Sequence, residues 1–248
     1  MIKQTKILMG MPITVQVEDS VVNAEILDRV FDYFQKIDDR FSTYKPDSEI
    51  SRINRGEIKP RDSSHEVKIV FSLAELTKEQ TGGYFDITTP EGKLDPSGLV
   101  KGWAIHNAGK LLEKAGMKDF FIDAGGDIQT WGKARRVGIK NPFKQDEIVK
   151  VLEIQNQGMA TSGTYIRGQH IYNPYQKDQD ISNIRSLTVV GPNVYEADRM
   201  ATAAFAQGLD GIMFIEKFPG LEGFMIDMQG IGTETSGFSK YVREEIYA

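Results

Sequence analysis

The sequence predicts an α+β protein with mostly antiparallel sheets and helices packed against them. Apolar residues fall at helical spacing in some stretches, such as 23–37, and alternate in strand fashion in others, such as 5–17, with no regular exchange between the two. The runs RRVGIKNP and VKVLEIQNQGMATSG, joined by an irregular loop, read as a hairpin, and hairpin strands are antiparallel. No G-x-G-x-x-G fingerprint marks a doubly wound parallel sheet.

Taken in order, residues 5–17 read as a first strand that Met9-Gly10-Met11 interrupts with a bulge or close backbone approach. Asn23 to Ile37 puts Leu27, Val30, Phe31 and Phe34 on one face of an amphipathic helix, most simply a structural one. The Ser, Thr, Pro and Asp content of RFSTYKPDSEISRIN, residues 40–54, marks a loop with Tyr44 near its tip and Asp47 or Ser48 able to cap a short turn. A second helix spans 65–81, with Val67, Val70, Leu73, Ala74 and Thr77 inward and His65 at the surface.

The stretch 81–131 reads as strand, loop, helix, strand and glycine turn, its helix running from about Leu99 to Ala115 with Leu99, Trp103, Ala108, Leu111 and Ala115 at helical spacing. IRSLTVV, 184–190, is a β-branched strand, 196–208 a helix ending at Gly208, and GFMIDMQG with IGTETSGFSKYV a closing pair of strands.

Composition bounds the function. The 248 residues are 40% hydrophobic and 26% charged, enough for a large core, and no long linker divides them. A net charge of −5 argues against a nucleic-acid surface, and an acidic protein handling a phosphate ligand needs a metal cation to offset repulsion. The absence of cysteine excludes disulfides, thiolate metal sites, a cysteine nucleophile and a lipid-anchored cysteine in this chain. With no apolar run long enough for a membrane span and no signal-peptide core, the expectation is a cytoplasmic chain as given, or an extracytoplasmic one if a leader is removed.

Candidate chemistry gathers around LDPSG. Ser97 and Gly98 stand at a helix N-terminus, where free N–H groups and the helix dipole favour an anion, and Lys101 in the first turn is electrostatically unfavourable until something anionic arrives. That outlines a phosphate site, though a cap and a solvated lysine would give the same pattern. Asp86 and Asp95 lie at the ends of the connecting loop, and FFIDA runs into Gly125, Gly126 and Asp127. Asp198 and Thr202 project from one helix face and are hard oxygen ligands suited to Mg2+, but helix-end uses of both residues are common. His170, in a glycine-rich loop, is either a proton carrier or a loop histidine bonding a carbonyl.

These residues also resemble a known family. LDPSGLVKGWAI is similar to the D-x-x-G-x-x-K-G-x-A segment of the ApbE family, the FAD:protein FMN transferases, and FIDAGGDIQTWG to its N-x-G-G-D strand and turn. MGMPITV, FSTYKPDSEISRIN, TGGYFDIT, MATSGTY, HIYNP and EADRMAT resemble further family motifs in the same order, from about Ile7 to Gly232.

The resemblance implies one ApbE-like domain over residues 1–248 and an Mg2+-dependent enzyme that moves FMN from FAD onto a Ser or Thr of an acceptor protein, releasing AMP. It implies that Met9, Tyr44, Tyr84, Phe85, Asp86, Asp95 and Lys101 line the FAD site. Asp198, Thr202 and the Gly98 carbonyl would hold the metal, with Asp198 and His170 serving catalysis and His170 beside the ribityl phosphate. Three departures stand out: Asn173 for the usual Asp, PYQKDQD lacking the usual R-T-G, and Met11 for Thr. Loss of that Asp would weaken proton transfer if it orients His170. An FAD pyrophosphatase and a non-catalytic FAD-binding protein are the competing readings.

Overall fold

A computed structural model describes residues 1–19, 24–144, 146–163, 171–176 and 181–243. The first predicted strand is in fact two, β1 (Ile2–Leu8) and β2 (Met11–Val17), paired antiparallel with Leu8 opposite Met11. Met9 and Gly10 form the turn, both at positive φ (53° and 72°), the backbone a tight primed hairpin turn requires. The expected bulge is therefore a reversal of direction. A methionine in the left-handed region is uncommon and costs local strain.

Helix α1 (Ala24–Phe41) runs one turn longer than its periodicity suggested and buries Leu27, Val30, Phe31, Phe34 and Ile37. Each such side chain contributes roughly 1.5–3 kcal/mol by leaving water. Ser48 caps the short helix α2 (Glu49–Asn54) by accepting from Ser51 N at 3.0 Å. Helix α3 (His65–Gln80) begins at the exposed His65, capped by Ser64.

No strand forms at 84–88; only an isolated bridge joins Thr88 to Leu94, because this segment turns into the loop that feeds the next helix. Helix α4 (Ser97–Lys114) starts two residues before the predicted Leu99, with Pro96 in the cap position and Ser97 as its first helical residue. Its buried face is Leu99, Val100, Gly102, Ala104, Ile105, Ala108, Gly109 and Leu112. Of the residues read at helical spacing, Leu99 and Ala108 lie on this face, Trp103 and Leu111 are half-buried against the core, and Ala115 is exposed.

Strands β3 (Phe120–Ala124) and β4 (Asp127–Trp131) form the next hairpin, and β5 (Arg135–Lys140) pairs with β6 (Ile148–Ile154) as predicted. VLEIQNQGMATSG is not one strand: β7 (Gly158–Gly163) follows β6 after a turn in which Asn156 takes φ 53°, and the chain changes sheets there. After β8 (Ile184–Gly191) come α5 (Val194–Ala206), α6 (Gly211–Ile215), β9 (Glu222–Asp227), β10 (Gly232–Glu234) and β11 (Val242–Arg243).

Among the described residues, eight strands form one antiparallel sheet in the order β1-β2-β3-β4-β7-β8-β9-β10, and β11-β6-β5 form a second. Residues on alternate faces of the large sheet serve different partners. Ile13, Val15, Ile122, Leu187 and Val189 join the core with the helices, whereas Ile128, Val190, Phe224 and Ile226 join Val137, Leu152 and Phe238 beneath the small sheet. Antiparallel strands with helices on one face bear out the α+β prediction.

Candidate functional site

Two helix starts meet at one place. Helices α4 and α5 cross so closely that a Cβ on Gly102 would lie 2.6 Å from both Asp198 Cβ and the Val194 carbonyl. Glycine permits the approach, and Gly102 N then donates to Asp198 Oδ2 at 2.7 Å. The start of α5 is fixed from below: Asn193 caps it by accepting from Glu196 N at 2.9 Å, and Gln129 Oε1, reaching up from β4, accepts from Val194 N at 2.8 Å.

Asp198 (3% exposed) and Thr202 project from one face of α5, as their spacing predicted. Thr202 Oγ1 donates to the Gly98 carbonyl at 3.3 Å, and Ser162 Oγ of β7 lies 3.5 Å from the same hydroxyl. Among the described residues no three His, Cys, Asp or Glu side chains group as metal ligands. The donor set is nevertheless all hard oxygen: one carboxylate, a hydroxyl and a backbone carbonyl beside an open chamber. That set fits Mg2+, which accepts few protein oxygens when water and phosphate complete its shell.

Lys101 is not waiting for an external anion. Its ammonium lies 2.6 Å from Asp127 Oδ2 and 3.9 Å from Asp198 Oδ1, so the fold itself offsets a cation in the first helical turn. The phosphate outline drawn from Lys101 alone therefore rests instead on what surrounds it.

Two chambers flank the start of α4 and share Asp95 and Ser97. The larger, about 520 Å³, is lined by Met9, Gly10, Met11, Phe41, Tyr44, Lys45, Val100 and Lys101. Tyr44 is 94% exposed at its lip, and Lys45 is held there by Asp38 at 2.5 Å and Asp39 at 2.7 Å. The smaller is lined by Tyr84, Phe85, Asp86, Gly98, Tyr172 and Thr202. Phe85 belongs mostly to the core, at 2% exposed. Burial opposes ionisation of Asp86, but the Lys78 ammonium at 2.8 Å and the Thr88 N–H outweigh it and hold the carboxyl below its ordinary value.

The loop between the chambers is locked. Asp95 Oδ1 accepts from Ser97 N at 3.0 Å, and Asp95 N donates to the Ile87 carbonyl at 2.7 Å. Asn54, the last residue of α2, pairs its amide with both backbone groups of Leu94, at 2.9 and 2.8 Å. Tyr172 donates to the carbonyls of Thr88 and Asp86. Burial, with the charges of Asp86 and Asp95 nearby, pushes its hydroxyl up to about 12, so it remains a donor at neutral pH. Asn173 Oδ1 accepts from Tyr175 N at 2.9 Å, a turn-forming role an aspartate would fill equally.

Of the residues singled out from the sequence, Met9, Tyr44, Tyr84, Phe85, Asp86, Asp95, Gly98, Lys101, Asp198 and Thr202 gather around these chambers. His170 lies outside the described residues. Asp127, Ser162, Asn54 and Tyr172 were not recognised as site residues. Asp127 and Gln129 carried a signal, being polar residues at alternate positions of a strand buried on both faces.

Fold and cleft define an α+β protein with a divided cleft beside two buried carboxylates and a half-buried lysine. The ApbE family model matches residues 9–91 and 89–225, and the chain belongs to that family. It is 27% identical over 160 residues to the FAD:protein FMN transferase of Salmonella typhimurium, covering 59% of this chain and 46% of that protein. It is 23% identical over 269 residues to the one from Vibrio cholerae, covering 84% and 79%. The chain thus spans about half the length of the first curated relatives it matches. Its fold is similar to the crystal structure of the ApbE protein of Thermotoga maritima, with a TM-score of 0.85 at 19% identity over 98% of this chain and 99% of that one. The flavin transferase ApbE from Vibrio cholerae gives 0.83 at 20% identity over 97% and 98%.

Proposed function

We propose that this chain transfers FMN from FAD to a Ser or Thr hydroxyl of an acceptor protein, releasing AMP, with Mg2+ required. The observation that carries the reading is the meeting of two ligand chambers at the start of α4, directly beside Asp198, Thr202 and Lys101. A dinucleotide lying across both chambers would bring its diphosphate to the helix N-terminus. Family membership supports the choice of FAD, since relatives carry the name FAD:protein FMN transferase.

In the reaction the acceptor oxygen forms a bond to the phosphorus on the flavin side, and the bond from that phosphorus to the bridging oxygen breaks. AMP leaves with the electron pair, and the hydroxyl proton passes to a base, the role that the family resemblance gives His170. Asp198, Thr202 and the Gly98 carbonyl would hold Mg2+, which supplies neutralisation of phosphate charge when bound. The positive dipole end of α4 and the Lys101 ammonium would orient the diphosphate, and Tyr44 offers its exposed ring to a flat ligand group.

The deciding experiment is mass spectrometry of a Ser/Thr-bearing acceptor domain incubated with the protein, FAD and Mg2+. One FMN added to the acceptor, lost on chelation, is the expected result. FMN and AMP released without a modified acceptor would make the protein a pyrophosphatase, and intact FAD would make it a binding protein. Tyr44→Ala should weaken FAD binding roughly three- to tenfold by fluorescence titration, while the urea midpoint stays unchanged because the ring contributes little to the core.

A further inference from the structure

We propose that Asp127 is a positioning residue that draws the Lys101 ammonium away from Asp198 and so keeps that carboxylate available to a divalent cation. The inference rests on the reading that Asp198, Thr202 and the Gly98 carbonyl form the cation site. Asp127 opens β4 at 1% exposure, a place where an unpaired carboxylate would be strongly disfavoured. Its two oxygens have separate duties. Oδ1 accepts from Thr161 N of β7 at 3.2 Å, which fixes the carboxylate against the neighbouring strand, and Oδ2 meets Lys101 Nζ at 2.6 Å.

The asymmetry of the cluster carries the functional content. At 2.6 Å the Asp127 contact is a close ion pair, whereas Asp198 Oδ1 stands 3.9 Å from the same ammonium, at the outer edge of ion pairing. Asp198 Oδ2 is meanwhile engaged by Gly102 N at 2.7 Å. If the Asp127 charge is removed, the attraction on Lys101 shifts toward Asp198. The ammonium then competes with the metal for the same carboxylate.

The test is Mn2+ binding, followed by the electron paramagnetic resonance signal of the free ion, with ADP present to supply an adenosine diphosphate. Asp127→Asn, which keeps an acceptor for Thr161 N, should raise the Mn2+ dissociation constant about tenfold or more, the usual scale for a group acting behind a metal ligand. On a Lys101→Met background the same substitution should change it by less than about threefold, because no ammonium is left to redirect. An unchanged constant in Asp127→Asn overturns the proposal. An equal loss on both backgrounds also overturns it, since Asp127 would then act directly or through the fold. If the parent protein and Asp198→Asn bind Mn2+ alike, the cation site itself is wrong, a result separable from either failure of Asp127.

Discussion

Asp198→Asn is expected to lower the proposed FMN transfer by about a thousandfold, equivalent to roughly 4 kcal/mol of transition-state stabilisation, while the protein stays folded. The asparagine oxygen can still accept from Gly102 N, the 2.7 Å bond that joins α5 to α4 at their crossing. What it cannot supply is the negative charge, and a carboxamide is a poor replacement for a carboxylate beside a divalent cation. Single-turnover transfer with excess Mg2+ measures the loss, and urea denaturation verifies that stability moves by no more than about 1 kcal/mol. Transfer within tenfold of the parent would mean that Asp198 organises the helix crossing and nothing more.

The second large effect is on the fold itself. Gly158 opens β7 directly beneath the start of α5, where an added Cβ would sit 1.9 Å from Val194 N and 2.3 Å from the Asn193 carbonyl carbon. Both neighbours are backbone, so no rotamer change relieves the contact. Gly158→Ala should therefore cost roughly 3 kcal/mol or more, read as a lower urea midpoint. Any protein that folds must displace the cap of α5, and with it the hydrogen bond from Val194 N to Gln129. Transfer activity should then fall further than the folded fraction does, because Asp198 and Thr202 ride on the displaced helix. Parent-like stability would show that the α5 start can shift at little cost.

How much of this was legible in the sequence follows from the range of each signal. Local chemistry was readable: a cap at Asp47 or Ser48, which the fold assigns to Ser48, the shared helix face of Asp198 and Thr202, and the helix that follows LDPSG all depend on residues within a few positions of one another. The hairpin at Met9-Gly10 was missed because methionine gives no warning of a left-handed conformation. The change of sheet after β6 had a visible marker in Asn156, a residue type that tolerates positive φ, but its meaning depended on which sheet each flanking strand would join. Lys101 shows the limit most clearly. Its partner Asp127 is a strand residue brought up from below, and its effect on Asp198 depends on a contact between three elements distant in the chain. The ordered motifs picked out residues that the fold brings together, whereas the charge arrangement among them required the tertiary structure.

The pairing of the Asn54 amide with both backbone groups of Leu94 makes a side chain behave as a one-residue strand partner. It ties a loop that has little regular structure of its own to the end of a short helix, so the two form one cooperative unit. Ligand binding that stiffens the loop at Asp95 would lower the opening frequency of α2 as well. The conformational entropy of the loop is thereby largely lost when the chain folds, leaving less to be lost on binding the proposed dinucleotide.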